Sequence, residues 1–177
     1  MTPEETADFE AFMTARWAGL VRAAVLMGAD LHAAEDLAQA ALVDSHRRWG
    51  RVQGARDPAA YVHRILVNRM RASRRRRWRG EVPTDLAAQH GRHGVPCAGG
   101  DVAESVSVSH GVREALARLP LVQRQVVVLR HFCDLSEQQT AEVLDIAAGT
   151  VKSRLSRAMA ALATDPLLSP LRTDAER

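Results

Sequence analysis

Apolar side chains recur every three or four residues along most of this chain, the spacing that places them on one face of an α-helix. In the first half, the pattern predicts helices over residues 8–27, 32–49 and 58–77. Asp57-Pro58 marks the start of the third helix, because aspartate caps a first turn and proline is tolerated at the first helical position. A loop over residues 50–56 is expected to precede it.

The second half is also predicted to be helical, from near Val108 onward, and to end in a helix-turn-helix. The strand-like run Val126-Val127-Val128 lies between helical neighbours, and this context is expected to override its β propensity. Ser136 and Gln139 have the spacing of a capping box, which predicts a helix from Glu137 to about Leu144. A short turn leads into a last helix with an apolar stripe, formed by Val151, Leu155, Ala158 and Leu162.

The other face of this last helix carries short polar and basic side chains: Thr150, Lys152, Ser153, Ser156 and Arg157, with Arg154 beside them. A helix that reads bases in the major groove needs this layout, with an apolar back and a polar, cationic front. The alternative is a plain helical hairpin whose cationic face is only solvated. The capped first helix, the short turn and the sequence GTVKSR occur together, which favours DNA binding.

The pattern as a whole predicts an all-α protein, in which two small helical domains are joined by a flexible linker. The linker is expected over residues 80–107, which are rich in glycine and proline and have no sustained period. The domains then cover residues 1–79 and 108–165, with the helix-turn-helix in the second and a frayed tail over 166–177. A length of 177 residues gives each domain enough chain to bury a core.

The formal net charge is only +3, but the positive charge is concentrated. Eight arginines fall within sixteen positions: Arg64, Arg69, Arg71, Arg74, Arg75, Arg76, Arg77 and Arg79. The alternative interpretation is a solvated cationic helix end, which suits the helix dipole. Eight neighbouring arginines repel one another, however, and phosphates are the obvious counter-charge, so contact with nucleic acid is favoured.

The sequence offers little for catalysis. There is no phosphate-binding loop and no pairing of a nucleophile with a base, so no catalytic residue and no enzyme is predicted. His90, His93 and Cys97 lack a fourth ligand at a sensible spacing, and the two cysteines form no CxxC motif, so neither a metal nor a cofactor is expected. No run reaches membrane-spanning length and the acidic N-terminus lacks a signal pattern, so a cytoplasmic protein is expected.

Three stretches, in this order, resemble the extracytoplasmic-function (ECF) sigma factors of bacterial RNA polymerase, and in particular a sigma-E-like subgroup. They are residues 34–39 (AEDLAQ), residues 57–68 (DPAAYVHRILVN), and the C-terminal motifs LP at 119–120, LS at 135–136 and GTVKSRL at 149–155. The resemblance implies a non-catalytic subunit that brings core RNA polymerase to promoters and helps to open the DNA. It also implies binding to double- and single-stranded promoter DNA, to the clamp and flap regions of the polymerase, and to an anti-sigma factor.

The resemblance also implies roles for particular residues. The polymerase-binding residues would be Asp36, Gln39, Leu42 and Arg47. The minus-ten element would be bound by Arg48, Trp49, Val52, Arg64, Asn68, Arg69, Arg71, Arg74 and Arg75, with Arg48, Trp49, Val52 and Asn68 around a flipped-out base. The minus-thirty-five element would be read by Thr150, Lys152, Ser153, Arg154, Ser156 and Arg157.

Two alternatives stay open at this point. Glu35 and Asp36 have a purely structural explanation, since carboxylates in a first turn favour the helix dipole. The whole chain could also be a stand-alone helix-turn-helix regulator that binds duplex DNA without polymerase. That alternative explains the C-terminal half, but it leaves the helix of Asn68 and the arginine block without a task.

Overall fold

The computed structural model describes residues 2–78 and 110–168, and within these ranges the regular elements are helical. In chain order they are α1 (Pro3–Leu26), α2 (Leu31–Arg47), α3 (Trp49–Gln53), α4 (Pro58–Trp78), α5 (His110–Arg118), α6 (Leu121–His131), α7 (Glu137–Leu144), α8 (Ala148–Ala163) and a 3-10 turn (Pro166–Leu168). The predicted all-α fold is confirmed. The predicted linker, the histidines at 90 and 93, Cys97 and the end of the tail lie outside the described residues.

Helix starts follow the capping chemistry of the sequence. Asp57 Oδ1 accepts hydrogen bonds from the amides of Ala59 and Ala60, at 2.8 and 3.0 Å, and so caps α4 as predicted. The predicted capping box of α7 is also present, because the Ser136 amide donates to Gln139 Oε1 and the Gln139 amide donates to Ser136 Oγ. These caps fix where two helices that matter for function begin.

Two boundaries differ from the sequence prediction. Helix α1 begins at Pro3 rather than residue 8, because Thr2 and Glu5 form a further capping box. The expected loop over residues 50–56 contains a short helix, α3, which buries Trp49 and Val52. Burial of two apolar side chains therefore orders part of a stretch that was expected to be a loop.

The N-terminal core is built around α4. Its apolar stripe, Val62, Leu66, Val67 and Met70, is buried and packs with the buried faces of α1 and α2. In the C-terminal part, α6 buries Val126, Val128 and Leu129 among side chains of α7 and α8. The three valines are helical as predicted, because packing on two neighbouring helices outweighs their β propensity.

The two helical bodies touch each other, which the sequence prediction did not include. The Arg71 guanidinium in α4 donates to the Leu144 carbonyl at the end of α7, with an Nη2–O distance of 2.9 Å. Arg22 in α1 donates to the Phe132 carbonyl at the end of α6, at 3.3 Å. The structure therefore places the two bodies side by side, with α4 against α7.

No helix in residues 2–78 and 110–168 is both long enough and apolar enough to cross a membrane.

One buried titratable group lies in the N-terminal core. His63 is 6% exposed, and its Nδ1 is 2.8 Å from the Ala59 carbonyl, to which it donates. Burial lowers the pKa of His63 below 6.5, and the charge of Arg16 acts in the same direction, while the bond to Ala59 and the charge of Asp57 oppose it. Folding therefore favours the neutral form of this imidazole.

This predicts a pH-dependent stability. Because the pKa of His63 is lowered by folding, the unfolded chain binds more protons at this group than the folded protein does below about pH 6.5, so the unfolding free energy falls as the pH drops towards 5. For one group the slope is at most about 1.4 kcal/mol per pH unit. Urea unfolding of His63→Gln should show a weaker pH dependence between pH 7 and 5 than the parent. His131→Gln, at an exposed position, should not; equal profiles for all three proteins would contradict the prediction.

Candidate nucleic-acid and protein interfaces

The outer face of α4 carries a row of polar and basic residues. Arg64, Asn68, Arg71 and Arg75 follow one another at spacings of four, three and four, which places them on the same side of the helix. Arg64, Asn68 and Arg75 are exposed, and Arg71 is half-buried. We call these four residues the basic face of α4. They lie opposite the buried stripe, so packing of the core presents them outward.

Three arginines of α4 have partners within the protein. Arg69 forms an ion pair with Asp44 of α2, with its Nη2 and Nε at 2.5 and 2.9 Å from Oδ2. Arg71 donates to the Leu144 carbonyl, and Arg74 donates to the Met27 carbonyl at 2.8 Å. Repulsion within the arginine block is thus relieved in part by a carboxylate and two carbonyls at helix ends. From the sequence alone, phosphates were the obvious counter-charge.

The structure places two of the residues predicted around the flipped base in the core instead. Trp49 is 5% exposed and its ring packs against Phe9 and Phe12, with both centroid distances 5.2 Å, while Val52 is fully buried. The Trp49 ring holds α3 against α1, and neither side chain is presented to solvent. Arg48 and Asn68 are exposed. Trp49 and Val52 are therefore not part of the candidate contact surface.

The face of α2 that was predicted to bind polymerase is exposed at Asp36, Gln39 and Arg47, but not at Leu42, which is 4% exposed and packs in the core. The alternative explanation for Glu35 and Asp36, that they lie in the first turn of the helix and favour its dipole, is wrong. Helix α2 begins at Leu31 with Asp30 as its cap, so neither carboxylate is in the first turn. The exposed face of α2 is therefore a candidate surface for binding a partner protein.

Sequence reasoning missed Val43 on this face. Its side chain is 43% exposed although it is aliphatic. It follows Asp36 by seven positions and Gln39 by four, so it lies on their side of the helix. The signal was available in the sequence, because Val43 falls outside the apolar stripe that buries α2.

The last helix, α8, has the predicted two faces. Val151 and Ala158 are buried against α6 and α7, while Lys152, Ser156 and Arg157 are exposed. Thr150, Ser153 and Arg154 are half-buried, and the Ser153 hydroxyl donates to the Thr150 carbonyl at 3.1 Å. Asp145 adopts a left-handed conformation with φ of 56°, which makes the tight turn between α7 and α8. Ala147 offers no side-chain cap, as its residue type predicts.

The described residues contain no group of three or more histidine, cysteine, aspartate or glutamate side chains that could hold a metal ion. Burial raises the pKa of Cys133 to about 12, although nearby Arg22 opposes the shift, so its thiol stays protonated. Taken together, the geometry is that of an all-α, two-body DNA-binding protein with a helix-turn-helix and a second, arginine-rich surface.

Comparison with known proteins narrows this class. The sigma-70 region 2 model matches residues 13–80, and the sigma-70 region 4 model matches residues 109–162. The RNA polymerase sigma-E factor of Streptomyces coelicolor is 34% identical over 158 residues, which cover 89% of this chain and 85% of that one. The ECF RNA polymerase sigma factor SigM of Mycobacterium tuberculosis is 35% identical over 130 residues, or 73% of this chain and 62% of that one.

Two solved structures are similar to this chain in fold. The sigma factor RpoE of Bartonella quintana, in complex with the anti-sigma factor NepR, is 26% identical, with a TM-score of 0.70 over 88% of this chain and 94% of that one. CnrH, in complex with the cytosolic domain of CnrY, shares the fold, with a TM-score of 0.58 over 89% of this chain and 86% of that one.

The chain belongs to the ECF sigma factors of the sigma-70 family. It is a transcription initiation factor of the non-catalytic kind, which binds core RNA polymerase and directs it to promoter DNA. The stand-alone regulator is not favoured, because region 2 accounts for the N-terminal half that this alternative left without a task.

The ion pair of Arg69 predicts a measurable coupling with Asp44. The two side chains are 39% and 17% exposed, so their interaction should contribute about 0.5–1 kcal/mol to stability. Urea unfolding of Arg69→Ala, Asp44→Ala and the double variant should give this coupling energy. Arg47 approaches Asp44 only to 3.9 Å and is 72% exposed, so a cycle with Arg47→Ala should give much less. Equal coupling energies in the two cycles would contradict a structural role for Arg69.

Proposed function

We propose that this sigma factor reads the minus-thirty-five element of its promoters with the outer face of α8. The support is the exposed set Lys152, Ser156 and Arg157 over the buried Val151 and Ala158. Thr150, Ser153 and Arg154 flank this set and complete the contact surface. The start of α8 has no side-chain cap, so its first amides are available for a DNA phosphate.

The basic face of α4, with Arg48 and Arg74 beside it, binds the minus-ten element in its opened form. Its arginines neutralise phosphates of the separated strand, and Asn68 supplies the donor and acceptor that can read an unstacked base. Arg69 has a structural role, because its ion pair with Asp44 joins α4 to α2. Trp49 and Val52 support this surface from the core and do not touch the DNA.

The exposed face of α2, formed by Asp36, Gln39, Val43 and Arg47, docks on the clamp of the polymerase. An exposed aliphatic side chain surrounded by charged and amide groups is suited to a partly apolar protein interface with a polar rim. The second body contacts the flap region. The two functional domains are residues 1–79 and 108–165, with a linker over 80–107 and a tail over 166–177.

Because its partner is the polymerase, the protein works in the cytoplasm. An anti-sigma factor regulates it, by analogy with the complex of RpoE with the anti-sigma factor NepR. These two assignments rest on the relatives.

The observation that carries this proposal is that one chain presents both the α8 surface and the basic face of α4. A repressor needs only the first of these. Gel-shift experiments with promoter DNA should therefore show weak binding by the purified protein and stable binding once core polymerase is added. Tight promoter binding by the protein alone, with no response to core polymerase, would overturn the proposal.

Lys152 and Arg157 should contribute to promoter affinity. Replacing either with alanine should weaken holoenzyme binding by about 1–3 kcal/mol for each hydrogen bond to a base that the substitution removes. In-vitro transcription from a promoter library should fall accordingly. Arg113→Ala removes one positive charge from an exposed position in α5 and serves as the control. If initiation at every promoter matches that of the control, α8 is not the reading helix.

Asn68 should act at strand opening. Asn68→Ala should slow formation of the open complex and leave closed-complex binding nearly unchanged, since the side chain meets a base only after it leaves the stack. Permanganate footprinting of the bubble over time measures the first quantity, and a gel shift at low temperature measures the second. Normal bubble formation by this variant would exclude Asn68 from base capture.

A further inference from the structure

The segment that follows α8 packs on α5, the first helix of the C-terminal body. Asp165 and the 3-10 turn Pro166–Leu168 come just after α8, where the sequence predicts the start of a frayed tail. In the structure, α5 packs on this turn more extensively than on any other described element. We call Asp165 and the turn the C-terminal brace, because they connect the end of α8 to α5.

Asp165 makes the first contact of the brace. Its side chain is 10% exposed and accepts from Arg118 at the end of α5, with Nη1 at 3.2 Å from Oδ1 and 3.4 Å from Oδ2. Oδ1 also accepts from the Leu167 amide at 2.9 Å, and the Asp165 carbonyl accepts from the Leu168 amide at 3.1 Å. The same aspartate therefore shapes the turn and joins it to α5.

A glycine near the other end of α5 makes the second contact. A Cβ added at Gly111 would come within 3.1 Å of the Leu167 carbonyl oxygen, so the turn lies directly on the helix backbone here. Glycine within a helix costs stability relative to alanine. The close approach of the turn therefore explains why this position carries no side chain, and the brace contacts α5 near both of its ends.

The place of α5 in the chain connects this contact to promoter recognition. Helix α5 is the first described helix after α4, whereas α8 carries the proposed reading surface. The brace therefore fixes the direction from which the chain enters the body that reads the minus-thirty-five element. One base pair added between the two promoter elements moves them apart by about 3.4 Å and turns them by about 35°. A chain whose two readers follow such a change needs freedom where it enters the second body.

We propose that Asp165 and Arg118 are positioning residues that, through the C-terminal brace, make this sigma factor selective for the number of base pairs between the two promoter elements. This rests on the proposed function. With the brace in place, α5 cannot turn relative to α8, so a longer or shorter spacer puts one element out of register with its reader. Without it, α5 turns about its buried Leu116 and the chain adapts to several spacer lengths.

Two substitutions should release α5 and leave the helices folded. Asp165→Ala removes both the contact with Arg118 and the acceptor of the Leu167 amide, at a position beyond the end of α8. Arg118→Met removes only the contact with Asp165 and keeps a side chain that favours helix. Arg118 is 56% exposed, so neither variant leaves a buried charge without a partner.

Each release variant has a matched control in α5. Glu114→Ala removes a carboxylate whose partner is His110, at 3.1 Å within the same helix. Arg113→Met removes the same charge as Arg118→Met from another exposed position. Arg118→Lys keeps a positive charge opposite Asp165 and should behave as the parent.

Hydrogen exchange of the free protein tests the brace itself. The amides of α5 should exchange faster in both release variants than in the parent and the controls, while the amides of α6, α7 and α8 should be unchanged. Equal exchange of α5 in all of these proteins would show that the brace does not hold the helix, and the proposal would be wrong.

Transcription with core polymerase tests selectivity, on templates that differ only in spacer length and derive from a promoter chosen with the parent. A misplaced element loses at least one base contact, so the parent and the controls should lose about tenfold in activity one or two base pairs from the best spacer. In the release variants this difference should shrink to about threefold or less, with activity at the best spacer retained.

Two results would overturn the proposal: a profile as narrow as that of the parent in either release variant, or a loss of activity that is equal at every spacer length. The second would indicate a merely structural contact. Replacing the minus-thirty-five element in the same templates tests the proposed function separately. If that replacement leaves the activity of the parent unchanged, the reading role of α8 fails, whatever the exchange of α5 shows.

Discussion

Helix α4 must bury one face in a core while it carries many guanidinium groups on the rest of its surface. These positive charges repel one another, and the structure depends on how their repulsion is relieved. Arg69 meets the carboxylate of Asp44, while Arg74 and Arg71 meet carbonyls at the ends of α1 and α7. Helix C-termini carry partial negative charge, so the two contacts with carbonyl groups are favourable in themselves. Arg22 repeats the arrangement at the end of α6.

This electrostatic pattern links folding to function. The arginines that have internal partners fix α4 against α1, α2 and α7, whereas Arg64, Arg75 and Arg76 are exposed. A carbonyl at a helix end neutralises less charge than a phosphate, because it carries only a partial negative charge. Arginines held in this way can exchange their acceptor when a nucleic acid arrives. A surface that is stable in the free protein is thereby suited to a polyanion.

The two bodies of this sigma factor have different kinds of surface. Helix α8 keeps Lys152, Ser156 and Arg157 exposed whether or not the bodies are in contact, whereas α4 has part of its basic face against α7. The surface proposed to read duplex DNA is therefore fully exposed, and the surface proposed to bind the opened strand is covered only at Arg71.

Much of this protein could be predicted from its sequence, because helical periodicity and capping are local. The start of α4 at Asp57-Pro58, the capping box of Ser136 and Gln139, and the two faces of α8 all follow from residues within one or two turns of each other. Family motifs, which are also short, indicated the sigma factor class. Burial is less local, and for that reason Leu42, Trp49 and Val52 were predicted at surfaces but lie in the core.

Tertiary structure alone decided which arginines have internal partners and that α4 rests on α7. Asp44 is twenty-five residues from Arg69, and Gln139, which donates a hydrogen bond to Asp57, is eighty-two residues from it. No periodicity in the sequence connects positions so far apart, since such pairs form only when separately folded helices pack and bring their ends together. The sequence by itself therefore determined the helices and their chemistry, and the packing of those helices determined which of the charged groups remain open to DNA and polymerase.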